Sequence, residues 1–323
     1  MGINDLPEVK LARRIIKKHS LKVPIDLDKI VQEYAKLIYR RIPISGVDGV
    51  SVNLKVPGKK PTIIVNSGLP KTRQVFTLAH EFGHIIIPWH LGTIVDDLYS
   101  ESYKDFSYSL LEQEANRFAA ELLMPIDWIL SEFKAKINDL ASLHKHIVRH
   151  IGVSDQAAAI RLIETLPANI IYTAENFGRV SHSGKTERTY AFPQVAGNKF
   201  VADPYPYIDS YTVYDAGLVK YHWWKLTDSV NIEAEDKRTW REILDDIAQV
   251  IEPDDGVSQF KKTINGIMAH AHGKTKTEED FSIDKVISAC IYRLRRPDLE
   301  KFTSHPDFEK FVKIRVLDFF RSK

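Results

Sequence analysis

The chain has 323 residues, of which 44% are hydrophobic and 27% charged. This balance is that of a folded protein and excludes a mainly disordered or low-complexity chain. A formal net charge of +2 does not indicate a dedicated binder of polyanions. The longest apolar runs, such as Ile85–Ile87, fall far short of the roughly 20 residues that span a bilayer. The first residues show no signal peptide, and the single cysteine, Cys290, excludes an internal disulfide. We therefore expect a cytoplasmic protein with no membrane partner.

The first 125 residues predict a mixed domain of helices and strands. Apolar spacing indicates two helices within residues 7–40, interrupted at Pro24. From Ile42 to Val65 the pattern changes to strands around a Pro-Gly turn, which predicts a hairpin or meander. We expect a small antiparallel sheet beside two longer helices, at roughly 71–87 and 109–123.

The rest of the chain divides by composition into three further segments. The sequence pattern of residues 126–166 predicts several short helices. Residues 168–230 are rich in aromatic and β-branched residues, which is typical of a β-rich module. The segment 233–323 is helical again, with helices predicted at 236–251, 256–271, 282–295 and 306–321. The whole chain is therefore of the α+β class, with domains at 1–125, 126–166 and 167–323. We expect the last domain to sense a signal or to dock a partner.

A histidine pair on the helix at 71–87 carries the chemical signal. His80 and His84 are four residues apart, so their imidazoles lie on one face and can bind one metal ion. Glu81 leaves the helix in another direction, from which it can reach a water on the ion without ligating the ion. The pattern therefore predicts a zinc site with Glu81 as general base.

A third protein ligand is required to complete such a site. His90 follows His84 by six residues, but Ile87 stands where that spacing usually needs a glycine to turn the chain. The other candidates lie on the helix at 109–123, where the acidic residues are Glu112, Glu114 and Glu121. Spacing alone does not decide among these glutamates.

The two helices also carry two longer motifs. Phe76–His84 reads FTLAHEFGH and Glu114–Pro125 reads EANRFAAELLMP. Together they closely resemble the ImmA/IrrE family of zinc metallopeptidases, over about residues 7–166. The resemblance implies a zincin-like peptidase domain in which the glutamate before Ala-Asn is the third zinc ligand. The implied metal ligands are His80, His84 and Glu114.

The resemblance also implies a substrate. Members of the family cleave a partner repressor, often of the helix-turn-helix class, and so activate stress or mobile-element genes. By likeness, we expect a zinc-dependent intracellular endopeptidase of narrow specificity. A non-proteolytic regulator that binds DNA or protein is an alternative, and a peptidase effector of a toxin-antitoxin or antiphage system is another. A second group that stabilises the transition state is expected among Tyr99, Tyr103, Tyr108 and His90.

Residues 139–166 resemble the small helix-turn-helix-like region that follows the peptidase in this family. The possible phosphate contacts there are Arg149, Arg161 and Lys145 with its neighbouring histidines. We favour a helix pair that completes the peptidase core over direct contact with nucleic acid.

Overall fold

The computed structural model divides the chain into two units, Met1–Leu166 and Pro167–Lys323. For residues 95–97 and 106–108 the structure describes the backbone and not the side chains. The described residues are 6–97, 106–136, 139–227, 230, 232, 236–252, 255–278 and 281–321. Over these ranges the fold is α+β, with twelve α-helices and two small sheets. No described helix is long and apolar enough to cross a membrane.

The first unit opens with two helices, α1 (Pro7–Lys18) and α2 (Leu27–Tyr34). Pro7 stands in the first turn of α1, where its missing N–H costs no hydrogen bond. The Asp26 side chain accepts from the Lys29 N–H and so caps α2. The predicted break between the two helices at Pro24 is therefore present.

A four-stranded sheet follows, in the order β1-β3-β2-β4. Its strands are β1 (Lys36–Arg40), β2 (Val47–Leu54), β3 (Thr62–Asn66) and β4 (Gly92–Asp97). The prediction of an antiparallel sheet is wrong in one respect, because β1 and β3 pair in parallel. β4 was not predicted, because the sequence of residues 91–108 shows no regular pattern. It adds to the free side of β2 in antiparallel orientation.

Helix α3 (Lys71–Ile86) carries the histidine pair and packs against α4 (Phe106–Leu123). The two helices approach closely at Gly83, where an added Cβ would lie 3.1 Å from the Phe118 ring and 3.4 Å from the Ala115 Cα. Because Gly83 and Ala115 have little or no side chain, the axes of α3 and α4 can approach closely at this crossing. Side chains of the two helices one turn from the crossing can therefore come into contact.

Three helices complete the first unit: α5 (Ile126–Ala135), α6 (Leu140–Ile151) and α7 (Asp155–Thr165). Gly152 ends α6 with a φ of 78°, a left-handed conformation that favours glycine. The Ser154 hydroxyl accepts from the Ala157 N–H and caps α7.

Arg161, one of the possible phosphate contacts, lies inside the first unit. Its guanidinium is buried, forms an ion pair with Glu121, and donates from Nε to the Met124 carbonyl at 3.0 Å. This side chain therefore ties α7 to the end of α4, as the packing interpretation requires.

The second unit contains a sheet and a helical bundle. All neighbouring strands of its sheet are antiparallel, in the order β6-β5-β8-β7. The strands are β5 (Ile170–Asn176), β6 (Arg179–Lys185), β7 (Ile208–Asp215) and β8 (Lys220–Leu226). The helices are α8 (Trp240–Ile251), α9 (Val257–Thr275), α10 (Ile283–Leu294), α11 (Glu300–Thr303) and α12 (Phe308–Arg321). Cys290 lies fully buried in the core of this bundle.

Candidate metal centre

Helix α3 places His80 and His84 side by side in the interior of the first unit. Both imidazoles are buried, and their Nε2 atoms lie 3.0 Å apart. The apolar residues Leu78, Ala79 and Phe82 around them are also buried and hold this helix in the core. The predicted pairing of the two imidazoles is therefore present in the structure.

The carboxylate beside these two nitrogens is that of Glu112. Its Oε2 lies 3.0 Å from His80 Nε2, and its Oε1 lies 3.6 Å from His84 Nε2. Bonds of 2.0–2.1 Å at tetrahedral angles place two zinc ligands about 3.3 Å apart. The two Nε2 atoms are 3.0 Å apart, and each lies 3.0 or 3.6 Å from one of the two oxygens of the Glu112 carboxylate, so all three separations are close to this value. Among the described residues, this is the one group of three or more such side chains that could hold a metal ion.

The structure places Glu114, the predicted third ligand, against Trp89 and His90. Its Oε2 accepts from Trp89 Nε1 at 2.6 Å and lies 3.0 Å from His90 Nε2. Glu112 and Glu114 are two residues apart on α4, about 200° around the helix axis, so they cannot share a face. The rotation of α4 about its own axis turns Glu112, and not Glu114, toward the two imidazoles on α3.

The other two candidates for third ligand have different partners. His90 faces the Nδ1 side of His84, at 2.7 Å, and not the Nε2 side where Glu112 lies. Glu121 is buried and pairs with Arg161 and with Arg13, the latter at 2.7 Å. Both residues support the surroundings of the site without entering the ligand group.

Each histidine of the pair has a hydrogen-bond partner at its other ring nitrogen, Nδ1. The Asn116 Oδ1 lies 2.9 Å from His80 Nδ1, and His90 Nδ1 lies 2.7 Å from His84 Nδ1. Partners of this kind orient a metal-binding imidazole and fix its tautomer. Burial lowers the pKa of His84 well below its usual value, with further lowering from His80 and His90. Burial also lowers the pKa of His90, against the opposing effect of Glu114.

Glu81 is fully buried between α3 and β2. The Ser51 hydroxyl donates to its Oε2 at 2.5 Å and lies 3.3 Å from its main-chain carbonyl. Gly49, on the same face of β2, leaves space for the carboxylate, because an added Cβ would lie 2.4 Å from Glu81 Oε1. Two small residues on one strand therefore define the position of the predicted general base.

The proposed second stabilising groups are only partly described. Tyr99 and Tyr103 lie outside the described residues, and the side chain of Tyr108 is not described either. His90 is described, and its ring is fully engaged with His84 and Glu114.

Four residues of the site were not predicted from the sequence: Gly49, Ser51, Trp89 and Asn116. One signal was available for Asn116, which is four residues after Glu112 and so lies on the same face of α4. The small buried residues Ala115 and Ala119 mark the side of this helix that packs inward. Gly49 and Ser51 belong to a separate strand, and no local pattern connects them with Glu81.

Comparison with known sequences identifies this part of the chain. Residues 35–163 match the sequence profile of a family described as the IrrE N-terminal-like domain. Residues 35–163 are therefore similar to an IrrE N-terminal-like domain. This confirms the resemblance stated from the motifs, and the matched segment contains the histidine pair, Glu81 and the three α4 glutamates, Glu112, Glu114 and Glu121.

Individual relatives share the same part of the chain. It is 32% identical over 155 residues to the radiation response metalloprotease IrrE of Deinococcus deserti, covering 43% of this chain and 52% of that protein. It is 30% identical over 141 residues to the protein of that name from Deinococcus radiodurans, covering 40% and 41%. An uncharacterized immunity region protein 2 of Bacillus phage phi105 is 29% identical over 122 residues, covering 38% and 70%. The chain thus spans about half the length or less of the two IrrE relatives that it matches.

Proposed function

We propose that this protein is a zinc-dependent endopeptidase with a zincin-like active site, in which His80, His84 and Glu112 hold the metal. The observation that carries the proposal is the convergence of two Nε2 atoms and one carboxylate at 3.0–3.6 Å. Two neutral imidazoles and one carboxylate would leave a Zn²⁺ site with a formal charge of +1. Both Deinococcus relatives are named as metalloproteases, which agrees with this chemistry.

The chain's own residues supply the remaining chemistry. When bound, zinc would lower the pKa of a water molecule and polarise the substrate carbonyl. Glu81 accepts a proton from the attacking water and passes it to the nitrogen of the leaving amine. The Ser51 hydroxyl holds Glu81 Oε2, and the packing of β2 on α3 keeps the carboxylate in one place. Asn116 and His90 orient the two imidazoles.

We further propose that the substrate is a helix-turn-helix transcriptional repressor, and that its cleavage in the cytoplasm activates stress or mobile-element genes. The name of one relative refers to a radiation response and that of another to a phage immunity region, both of which agree with such a role. Residues 167–323 lie beyond the matched segment, and we propose that they sense the signal or dock the partner.

The test compares the wild-type chain with Glu81→Gln and His80→Ala. We expect Glu81→Gln to retain one zinc ion per chain by elemental analysis, because Glu81 is not in the ligand group. Its cleavage rate should fall by about 10²–10⁴-fold, the usual contribution of a general base. His80→Ala should lose the metal. Glu33→Gln, which removes an exposed carboxylate from α2, is the matched control and should behave as wild type.

Two substrates make the test independent of one guess. The first is the purified helix-turn-helix repressor encoded beside the gene, and the second is a proteome whose new N-termini are sequenced after incubation. Cleavages that appear with wild type and not with Glu81→Gln support the proposal. Undiminished cleavage by Glu81→Gln, or normal zinc content in His80→Ala, would refute it.

A non-proteolytic regulator is the alternative that one observation favours. Lys145, Arg149 and two histidines line an exposed depression on α6, where an anionic partner could bind. On this alternative, Glu81→Gln would be harmless in cells, whereas a Lys145→Glu, Arg149→Glu variant would lose function. The buried position of Arg161 removes one of the predicted phosphate contacts from this surface.

A further inference from the structure

Three side chains outside the proposed ligand group of His80, His84 and Glu112 form a series of hydrogen bonds that ends at His84. The indole Nε1 of Trp89 donates to Glu114 Oε2 at 2.6 Å, and the same oxygen lies 3.0 Å from His90 Nε2. His90 Nδ1 then lies 2.7 Å from His84 Nδ1. His84 and His90 are both fully buried. We call Trp89, Glu114 and His90 the His84 relay.

The donor and acceptor properties of these side chains determine which atom donates in each hydrogen bond of the His84 relay. An indole nitrogen can only donate, so Glu114 Oε2 accepts, as an ionised carboxylate does. His90 Nε2 therefore donates its N–H to Glu114, which leaves His90 Nδ1 with a lone pair. Because that lone pair faces His84 Nδ1, the proton between the two rings belongs to His84. The remaining nitrogen of His84, Nε2, then has no proton and points at Glu112 and His80.

We infer that Trp89, Glu114 and His90 are positioning residues that hold His84 in its Nδ1–H tautomer and present its Nε2 lone pair to the metal. The inference rests on the proposed zinc site. A single residue holds His80 in the same tautomer, since the Asn116 amide oxygen accepts from His80 Nδ1 at 2.9 Å. The acidic residue that the sequence motif suggested as a ligand thus acts on the metal through two imidazoles.

The relay also explains the placement of residues just after α3. His90 Nδ1 faces the ring of His84, and the two ring centres lie 4.8 Å apart. Ile87 ends α3 with an extended backbone and a buried side chain. The turn that follows returns His90 beneath the last turn of the helix, where the main-chain carbonyl of Ile87 accepts from the His90 N–H at 3.3 Å. No glycine is needed, because His90 approaches from the Nδ1 side and not from the metal side.

A pair of substitutions at position 90 separates hydrogen bonding from packing. His90→Phe keeps a ring of similar shape but removes the acceptor for His84 Nδ1. His90→Gln loses the ring but can offer an amide oxygen to the same nitrogen. If the relay fixes the tautomer, zinc affinity falls about 10–100-fold in His90→Phe, and His90→Gln recovers part of the loss. If His90 only fills space, the order of the two variants is reversed.

The measurement is zinc affinity of the full-length protein, by competition with a chromophoric chelator. Glu114→Gln should weaken binding by about 10-fold, because a neutral amide is a weaker acceptor than a carboxylate. Glu33→Gln, a charge-matched change on the exposed face of α2, should leave the affinity unchanged. Glu112→Gln should lose more affinity than either relay variant, because it removes a direct ligand. Wild-type affinity in both His90→Phe and Glu114→Gln would overturn the inference.

A second readout does not depend on zinc or on the variants. Long-range ¹H–¹⁵N spectra of the chelator-treated wild-type chain report which nitrogen of each neutral imidazole carries the proton. We expect His84 to carry it on Nδ1 and His90 on Nε2. A proton on His84 Nε2 would overturn the inference even if zinc binds, whereas failure of the wild type to bind zinc would refute the proposed function and leave the tautomer result to stand alone.

Discussion

Gly49 lies on β2 opposite the proposed general base, and its substitution by alanine tests how closely that carboxylate must be placed. A Cβ added at this position would lie 2.4 Å from Glu81 Oε1 and 2.8 Å from Thr77 Cγ2. Ordinary contact begins at 3.4 Å, so the carboxylate must withdraw by about 1 Å. The Ser51 hydroxyl holds the other oxygen at 2.5 Å and opposes this movement. A displacement of about 1 Å at a reacting group can reduce a rate by about 100-fold.

The assay for Gly49→Ala is cleavage of the repressor substrate together with zinc affinity. We expect kcat to fall by about 100-fold, while zinc affinity stays within about twofold because the atoms nearest the added Cβ belong to Glu81 and Thr77, which lie outside the proposed ligand group. Gly68→Ala is the matched control, since its Cβ would meet only the end of the Asn66 side chain at 3.2 Å and one carbon of Arg41 at 3.9 Å. Normal kcat in Gly49→Ala would refute the assignment of Glu81 as the base, provided that the thermal stabilities of the two variants are alike.

Three further predictions concern stability and reactivity. Arg161→Met should destabilise the first unit by about 3 kcal/mol, because it leaves Glu121 buried with only a part-exposed partner; urea denaturation that shows a loss below about 1 kcal/mol would contradict this. Gly83→Ala should cost about 1–3 kcal/mol, since its Cβ would press on the Phe118 ring at 3.1 Å; an unchanged melting temperature would show that the two helices separate freely. Burial raises the pKa of the Cys290 thiol to about 12. We therefore expect negligible labelling of the native protein by a thiol reagent at pH 8 and full labelling in urea, and rapid native labelling would contradict the buried position.

The helices of this protein were predictable from the sequence because each carries its own periodicity and end signals. The helix with the histidine pair was expected at 71–87 and observed at Lys71–Ile86, after Pro70 and before an extended Ile87. The sheet was less predictable, because strand order depends on contacts distant in sequence. β4 comes from a segment with no regular pattern, and the parallel pairing of β1 with β3 follows from a connection that passes through β2.

The same distinction applies within the candidate site. His80, Glu81 and His84 lie on a single helix, so helical geometry alone predicted that the imidazoles would meet. Ser51 and Gly49 contribute from another strand, and their role appears only when β2 is packed on α3. Residues that act through tertiary contact leave little trace in a single sequence, even where they hold the central carboxylate.

The proposed third ligand shows where sequence reasoning reached its limit. Glu112 and Glu114 are both acidic and lie on the same predicted helix, and the choice between them depends on the rotation of α4 about its axis. That rotation is set by close packing at Gly83 and Ala115, which turns the face of Glu112 and Asn116 toward His80. The opposite face then turns Glu114 toward Trp89 and His90. In the proposed site, Glu112 acts directly and Glu114 acts through His90, and a motif that includes both glutamates cannot by itself distinguish the ligand from its support.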